Sequence, residues 1–260
     1  MKPQHTLILR ISSLFAIILF NVSVSAQNDN IASVETDTTR VKLKYGLRIG
    51  GDFGKLIRSS LDDDYAGFEI QGDYRLKRDL YVAGEIGFEE KNTVTDYLDI
   101  TSKGSYIKAG VDYNMYDNWL DMDNMIYAGF RIGAASFSQY LNSFTVYNTN
   151  QYWAPQLTSS DGESFSGLTA IWAEIILGIK VELINNLYMG LNAQLKLKAS
   201  ETEPNNFQNV YIPGFGKTYD SSGIGVGYSY FLSYRIPLYK KYKDVEKIEV
   251  EAEVEPETEN

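Results

Sequence analysis

The chain has 260 residues with 24 Lys and Arg, 34 Asp and Glu, one His and no Cys, and its formal net charge is −10. The absence of cysteine excludes disulfides, thiolate metal sites and cysteine nucleophiles. A chain this acidic is also a poor candidate for binding nucleic acid, because phosphate contacts require clustered lysine and arginine.

The first 26 residues have the pattern of a secretory signal peptide. Lys2 and Arg10 precede an apolar run over residues 11–20. Residues 24–26 (Val-Ser-Ala) then place small side chains before Gln27. An N-terminal membrane anchor is the alternative, but this run is shorter than the roughly 20 residues that a spanning helix needs. We therefore expect cleavage after Ala26 and export of the remaining chain, with residues 27–40 as a flexible segment.

From residue 41 onward, the chain alternates apolar and polar side chains in eight segments, as strands with one apolar and one polar face do. In chain order the segments cover residues 45–54, 66–76, 80–89, 107–115, 126–134, 171–183, 187–198 and 224–236. The seventh, LYMGLNAQLKLK, alternates strictly over its whole length. Ten residues at about 3.3 Å each, tilted by about 40°, cover roughly 25 Å, which matches the apolar band of membrane barrels.

Short and long connections alternate along the chain. Residues 77–79 and 184–186 read as tight turns and residues 117–124 as a moderate turn, whereas longer loops cover residues 58–64, 91–104, 138–166 and 199–222. Barrels of the outer membrane have short periplasmic turns and longer external loops. We predict an all-β fold: a transmembrane up-and-down antiparallel β-barrel over residues 41–239 with eight strands. Ten strands would result if part of residues 138–166 entered the barrel.

The polar faces of the predicted strands carry both signs of charge. The cations are Arg48, Arg75, Lys108, Arg131, Lys180, Lys196, Lys198 and Arg235, and the anions are Asp52, Glu69, Asp73, Glu85, Asp112, Glu174 and Glu182. An eight-stranded barrel has an interior that side chains just fill, and buried charges must be paired. We predict that these residues form a polar network that plugs the lumen. A narrow selective pore or a small-molecule cavity is the alternative.

Aromatic residues recur at the ends of the predicted strands. Tyr45, Tyr74, Tyr113, Tyr116, Trp119 and Tyr239 lie near the predicted periplasmic ends, where interfacial rings are expected. In the loop over residues 138–166, we predict that an external ligand or protein would contact Tyr140, Phe144, Tyr147, Tyr152 and Trp153.

Catalysis has little support in the sequence. The only histidine, His5, lies in the predicted signal peptide, which excludes a Ser-His-Asp arrangement from the mature chain. A pair of carboxylates could act on glycosides or peptides, but acids recur on every polar face and no pair stands out. We predict no catalytic residues, no cofactor and no metal ion, and we expect that the protein is not an enzyme.

The signal peptide, the eight alternating segments and the closing segment YSYFLSYRIPL (residues 228–238) resemble outer-membrane β-barrel proteins of Bacteroidota, many of which are domains of unknown function. The resemblance covers about residues 41–240. It implies location in the outer membrane, contact with its lipid and insertion by the barrel assembly machinery, with both termini periplasmic. Such barrels often end on an aromatic strand, whereas here residues 240–260 follow, and we predict that they form a disordered acidic tail.

Three hypotheses for function remain open at this point. The first is a small outer-membrane barrel with a structural role, or one that binds a ligand or partner through its external loops. The second is a narrow pore or transport protein. The third is a soluble exported barrel that holds an apolar ligand inside, which requires the apolar faces of the strands to point inward.

Overall fold

The computed structural model describes residues 40–116, 123–146, 157–204, 208–218 and 223–244. The predicted signal peptide, residues 27–39 and residues 245–260 lie outside these ranges. The described elements are β1 (Arg40–Asp52), α1 (Phe53–Leu61), β2 (Tyr65–Arg75), β3 (Leu80–Val94), β4 (Leu98–Asn114), β5 (Met125–Val146), β6 (Leu157–Ser159), β7 (Glu163–Ile184), β8 (Leu187–Glu201), β9 (Tyr211–Ile212), β10 (Gly216–Lys217) and β11 (Ile224–Asp244). Among the described residues, no helix has the length and apolar character needed to cross a bilayer.

Eight of the strands close into a ring. The order around it is β1, β2, β3, β4, β5, β7, β8 and β11, and all neighbouring strands are antiparallel. Ring strands that follow one another in the chain are neighbours, and the last strand, β11, pairs with the first, β1, to close the ring. This confirms the predicted eight-stranded up-and-down barrel. The ten-strand alternative is wrong for the described residues, because β6 pairs only with the last three residues of β5 and lies outside the ring.

The two ends of the barrel differ. One end, the turn end, contains the connections at residues 76–79 and 185–186 and the paired residues Arg40 and Asp244. The opposite end, the loop end, contains α1 and the short β9–β10 hairpin. Backbone pairing of β11 with β1 reaches residue 244, so the strand continues five residues past the predicted start of the acidic tail.

Strands extend much further at the loop end than the sequence predicts. β5 and β7 contain 22 residues each, and only residues 95–97 separate β3 from β4, where a loop over residues 91–104 was expected. Beyond the apolar segments, the outer face carries exposed polar residues such as Lys103. Backbone hydrogen bonds between neighbouring strands continue in this region, although apolar and polar residues no longer alternate along the sequence. The strand prediction depended on that alternation.

The faces of the strands have the sidedness that the membrane-barrel prediction requires. On β8, Leu191 is 44% exposed on the outer face and its neighbour Asn192 is 4% exposed on the inner face. Exposed apolar residues of this kind occur on every strand of the ring, for example Leu47, Phe68, Ile86, Ile107, Ile132, Leu177, Leu191 and Leu232. The apolar faces of the strands thus point outward, and the hypothesis of a barrel with these faces turned inward is wrong.

Tyrosine rings gather on the outer surface near the turn end. The Tyr45 and Tyr239 rings stack with centroids 4.9 Å apart, and the Tyr239 hydroxyl lies 3.5 Å from that of Tyr74. Tyr113 and Tyr116 are exposed at the same end, and Trp119 lies outside the described residues. These positions are the ones that the sequence predicts for interfacial rings.

Helix α1 replaces the end of the first predicted strand and part of the first predicted loop. Asp52, predicted as one of the lumen charges, is buried but acts as the helix N-cap, since its Oδ1 accepts hydrogen bonds from the backbone N–H of Gly54 at 2.8 Å and of Lys55 at 3.2 Å. Ser59 anchors the helix to β2, because its Oγ accepts a 2.8 Å hydrogen bond from the Gly67 N–H. A nine-residue helix shows too little periodicity to be read from sequence.

Candidate functional site

The centre of the interior is organised around Lys108, which is 1% exposed. Its Nζ lies 2.7 Å from Glu85, 3.5 Å from Glu69 and 3.7 Å from Glu174. Three carboxylates around one ammonium would repel one another, and each has a second cation. Glu85 pairs with Arg131 at 3.4 Å, which links this centre to the charges on the side of the turn end.

From Arg131 toward the turn end, cations and anions alternate. The Arg131 guanidinium lies 2.8 Å from Asp112, whose other oxygen is 3.6 Å from Lys180. Lys180 in turn contacts Asp73 at 2.7 Å, and Asp73 accepts a 2.6 Å hydrogen bond from Arg48 Nε. Each of these ion pairs joins residues on two different strands, so the pairs connect the strands of the ring across the lumen.

The turn end is closed by Asp123, a residue of the β4–β5 connection that the sequence analysis did not place inside. Its carboxylate pairs with Arg75 at 2.7 Å and with Arg235, and it accepts a 3.2 Å hydrogen bond from the Tyr188 hydroxyl. Arg235 also lies 3.4 Å from Glu182. The guanidinium of Arg48 lies over the Tyr188 ring, 5.2 Å from its centroid. This contact connects the residues around Asp123 to the ion pairs that include Asp73 and Lys180.

Most of the residues predicted to lie in the lumen do so, and most contact an oppositely charged group. Arg48, Asp52, Glu69, Asp73, Arg75, Glu85, Lys108, Asp112, Arg131, Glu174, Lys180, Lys196 and Arg235 are buried, and Glu182 is half-buried. Lys198 is half-buried, and it pairs with Glu201 on its own strand near a register shift between β7 and β8. Lys44, which binds Glu182 at 3.1 Å, was not predicted from the strand pattern, and neither were Lys55 and Asp123.

At the loop end, a single carboxylate, that of Glu89, holds three elements together. Its Oε1 accepts from the Lys55 ammonium of α1 at 2.6 Å and from the Tyr65 hydroxyl of β2 at 3.1 Å. Its Oε2 accepts from the Tyr211 hydroxyl at 2.7 Å and from the backbone N–H of Gly214 at 2.8 Å. The β9–β10 hairpin is therefore fixed over the mouth of the barrel. Glu89 continues the polar alternation of the third predicted strand, which was the available signal for it.

Lys55 and Tyr211, which lie at the loop end outside the strands of the ring, have shifted pKa values. Burial lowers the pKa of Lys55, but the adjacent Glu89 and Glu69 carboxylates outweigh it and raise that pKa above its ordinary value. Burial, reinforced by the Glu89 charge, raises the pKa of the Tyr211 phenol well above its usual range. Both groups thus keep their protons, and their hydrogen bonds to Glu89, across neutral pH.

A cavity of about 240 Å³, partly open to solvent, lies between α1, the hairpin, β8 and β11. Its charged lining consists of Lys55, Arg58, Lys196, Asp52 and Glu89, and its rings include Tyr211, Phe215 and Tyr228. The Nζ of Lys196 donates a 2.7 Å hydrogen bond to the Gly214 carbonyl of the hairpin. Gly227 on β11 permits this arrangement, since a Cβ there would come within 3.0 Å of the Lys196 ammonium.

The predicted external aromatic residues lie elsewhere. Tyr140 is exposed on the outer end of β5 with its ring against Gly162, and Phe144 is half-buried on the same strand. Neither residue lines the cavity. Tyr147, Tyr152 and Trp153 fall outside the described residues, so their role in binding stays a prediction. No group of three or more metal-ligating side chains is arranged for a metal ion in the described parts of the chain.

Comparison with known proteins gives one match. Residues 6–241 match the family model described as Domain of unknown function (DUF6048). The chain belongs to this family. No curated protein and no solved structure matches the chain. The family match runs from within the predicted signal peptide into β11 and so includes the interior network and the cavity.

Proposed function

We propose that the chain is an outer-membrane β-barrel of bacteria, exported by its signal peptide, with a closed lumen and a binding site for an external ligand at the loop end. The observation that carries this proposal is the sidedness of the strands. Apolar side chains cover the outside of the ring while charged and amide side chains fill its interior.

The outer surface would be unstable in water. Burying one large aliphatic side chain contributes about 1.5–3 kcal/mol, and soluble monomers rarely expose continuous apolar patches larger than a few hundred Å². Here such side chains are exposed on all eight strands of the ring. Hydrocarbon would accommodate them, and a closed ring pairs its backbone groups internally, as a bilayer requires.

The packed interior of the barrel supports the proposal that the lumen is closed to solutes. One set of ion pairs surrounds Asp123 at the turn end, and a second set runs from Asp73 through Lys180 to Lys108 at the centre. An eight-stranded barrel leaves little space beyond its own side chains. Planar bilayers containing the folded protein should therefore show background conductance. Resolved single-channel steps would instead favour the role of a narrow pore.

The loop end supports a binding role. If both termini are periplasmic, the cavity between α1 and the hairpin faces the exterior of the cell. The extended ends of β5 and β7 surround that face with further side chains, Tyr140 among them. A fixed, polar, partly open cavity held by several elements is the kind of feature in which small molecules bind.

The sidedness can be tested in lipid vesicles with single cysteines, because the chain has none of its own. Leu191→Cys and Asn192→Cys, each labelled with the same fluorophore, form a matched pair of neighbours. We expect a quencher confined to the lipid to quench the label at 191 strongly and the label at 192 weakly. Equal quenching at both positions, or quenching at 192 alone, would overturn the membrane assignment.

A second assay confirms that the tested sample is folded. A closed barrel has no free edge from which to unravel, so the unboiled protein should migrate differently from the boiled protein in SDS gels. Identical migration before and after boiling would count against a stable membrane barrel.

A further inference from the structure

We infer that the loop-end cavity binds a small organic anion, namely a sugar-sized molecule that carries a carboxylate or a phosphate group. This inference rests on the proposed binding role of the loop end and specifies the ligand class. It follows from the hydrogen-bonding groups that the lining leaves available and from the size of the cavity.

The acids of the lining already bind groups of the protein. Each oxygen of Glu89 accepts two hydrogen bonds, all from protein donors. Asp52 directs its Oδ1 at the first turn of α1. Glu89 is therefore poorly placed to attract a cationic ligand, since a carboxylate with two hydrogen bonds on each oxygen has filled most of its acceptor capacity. The Oδ2 of Asp52 has no hydrogen-bond partner among the described residues, but the lining carries three cations against its two carboxylates.

Lys196, by contrast, has unused capacity. The residue is 6% exposed, and within the described part of the chain its ammonium, with three donor hydrogens, makes one hydrogen bond of 2.7 Å, to the Gly214 carbonyl. The nearest carboxylate oxygen, Oε1 of Glu174, is 3.8 Å away and accepts a 2.7 Å hydrogen bond from Trp172. The ion pair with Glu174 is thus long for a buried cation, and an anion in the cavity would give the ammonium a closer anionic partner.

Arg58 offers a second cation at the rim. Its side chain is 43% exposed, its Nε lies 3.4 Å from Asp62 on the helix surface, and its guanidinium lies 3.9 Å from the centroid of the Tyr65 ring. Exposed pairs of this kind are weak, so the guanidinium can turn to a ligand. Arginine matches the planar geometry of carboxylates and the oxygens of phosphates.

The volume limits the ligand to a small one. About 240 Å³ corresponds to about eight water molecules at roughly 30 Å³ each, and it lies below the roughly 300–1,000 Å³ of pockets for drug-sized ligands. A single sugar ring fits these limits. Tyr228 and Tyr211 supply aromatic surface beside the polar groups.

The test uses the full chain, folded in detergent micelles, and isothermal titration with three probes of similar size. Glucuronate carries a carboxylate, glucose 6-phosphate carries a phosphate, and glucose is the neutral control. We expect at least one anion to bind about tenfold or more tightly than glucose, as one charge-assisted contact allows. The two anionic probes distinguish a carboxylate ligand from a phosphate ligand.

Variants assign the effect to the cavity. Lys196→Gln should weaken anion binding about tenfold or more, whereas Lys198→Gln, two residues along the same strand and paired with Glu201, should leave it within about twofold. Arg58→Gln, on the exposed face of α1, should weaken it about threefold and serves if Lys196→Gln does not fold. Boiled and unboiled gel migration monitors folding of each variant.

Three results would overturn the inference: glucose binding as tightly as both anions, no binding of either anion, or unchanged anion affinity in folded Lys196→Gln or, should that variant not fold, in Arg58→Gln. These results would leave the lipid-quenching assay at positions 191 and 192 unaffected. Failure of the ligand assignment is thus distinguishable from failure of the membrane-barrel proposal.

Discussion

The two ends of the barrel use inward-facing charges in different ways. At the turn end, Asp123 binds Arg75 and Arg235, so that the charges there neutralise one another and the interior is filled. At the loop end, Glu89 binds groups from α1, β2 and the hairpin, and Lys196 is left beside a cavity with a carbonyl as its close partner. The turn end is closed by side chains of the strands and of the β4–β5 connection. The loop end is shaped by α1 and the β9–β10 hairpin.

This difference separates a scaffold from a part of the molecule that shapes the cavity. The strands supply a rigid, self-neutralising interior whose charges depend on one another across the ring. The helix and the hairpin are short insertions between strands, and changes there alter the cavity without disturbing the ladder. Binding residues are commonly carried on loops that a rigid scaffold positions.

The largest effect is expected from breaking the turn end. Asp123→Asn keeps the size of the side chain but removes the charge between two arginines, so the free energy of unfolding should fall by about 3–5 kcal/mol. Urea unfolding in lipid vesicles measures it. Asp63→Asn, at an exposed position of the α1–β2 loop, is the control and should change stability by less than about 0.5 kcal/mol. A loss below about 1 kcal/mol in Asp123→Asn would mean that this end is not held by its ion pairs.

The next effect separates the middle of the barrel from its turn end. Leu191→Arg should destabilise the protein in vesicles by about 2–4 kcal/mol, because a cation at mid-bilayer is costly, while the cost near an interface is about 0–1 kcal/mol. Leu238→Arg, exposed beside Tyr239 at the turn end, provides the matched interfacial substitution. Equal costs at the two leucines would contradict the proposed position of the bilayer.

A smaller and local effect is expected at the loop end. Glu89→Gln weakens the hydrogen bonds to Tyr211 and Gly214 and should destabilise the hairpin by about 1–3 kcal/mol. Hydrogen exchange of residues 208–218 should accelerate while urea unfolding of the ring changes little. Glu90→Gln is the control, because the side chain of this adjacent acid is 39% exposed and pairs with Lys103 at 3.0 Å. A large loss of global stability in Glu89→Gln would show that the two ends are not independent.

The smallest effect concerns pH. The folded-state pKa of Tyr211 is raised, so the stabilisation from its hydrogen bond is fully present below the ordinary tyrosine pKa of about 10 and is lost only above that value. Hydrogen exchange of the hairpin, corrected for intrinsic rates, should show the same protection at pH 7 and pH 9. Loss of protection between these values would mean that another group controls attachment of the hairpin.

The ring and most of its interior could be predicted because strand periodicity assigns every second residue to one face. Arg48, Asp73 and Lys180 were placed inward by this rule alone. Glu201 shows its limit, because a register shift between β7 and β8 brings it to the same face as Lys198, three residues earlier, and the two side chains pair. A parity rule holds only along uninterrupted pairing.

The remaining features could not be predicted because their contacts are distant in sequence and have no period. Lys55 reaches Glu89 from a helix of nine residues, and Asp123 enters the interior from a turn that reads as solvent-exposed. The hairpin is placed by Glu89 and Lys196, which precede it on other strands. Only the folded ring brings these groups within hydrogen-bond distance of one another.

The seam between β1 and β11 has a consequence for the order of assembly. The first and last strands of the ring are partners, with Arg40 opposite Asp244 and Asp52 opposite Phe231. During synthesis, β1 is the first strand of the ring to be made and β11, one of its two partners, is the last. A chain that ends before residue 224 therefore leaves β1 and β8 with open hydrogen-bonding edges. Such edges invite pairing with other chains. Closure is therefore a single late event, and a carrier that shields both edges until it occurs would protect every newly made copy from association with others.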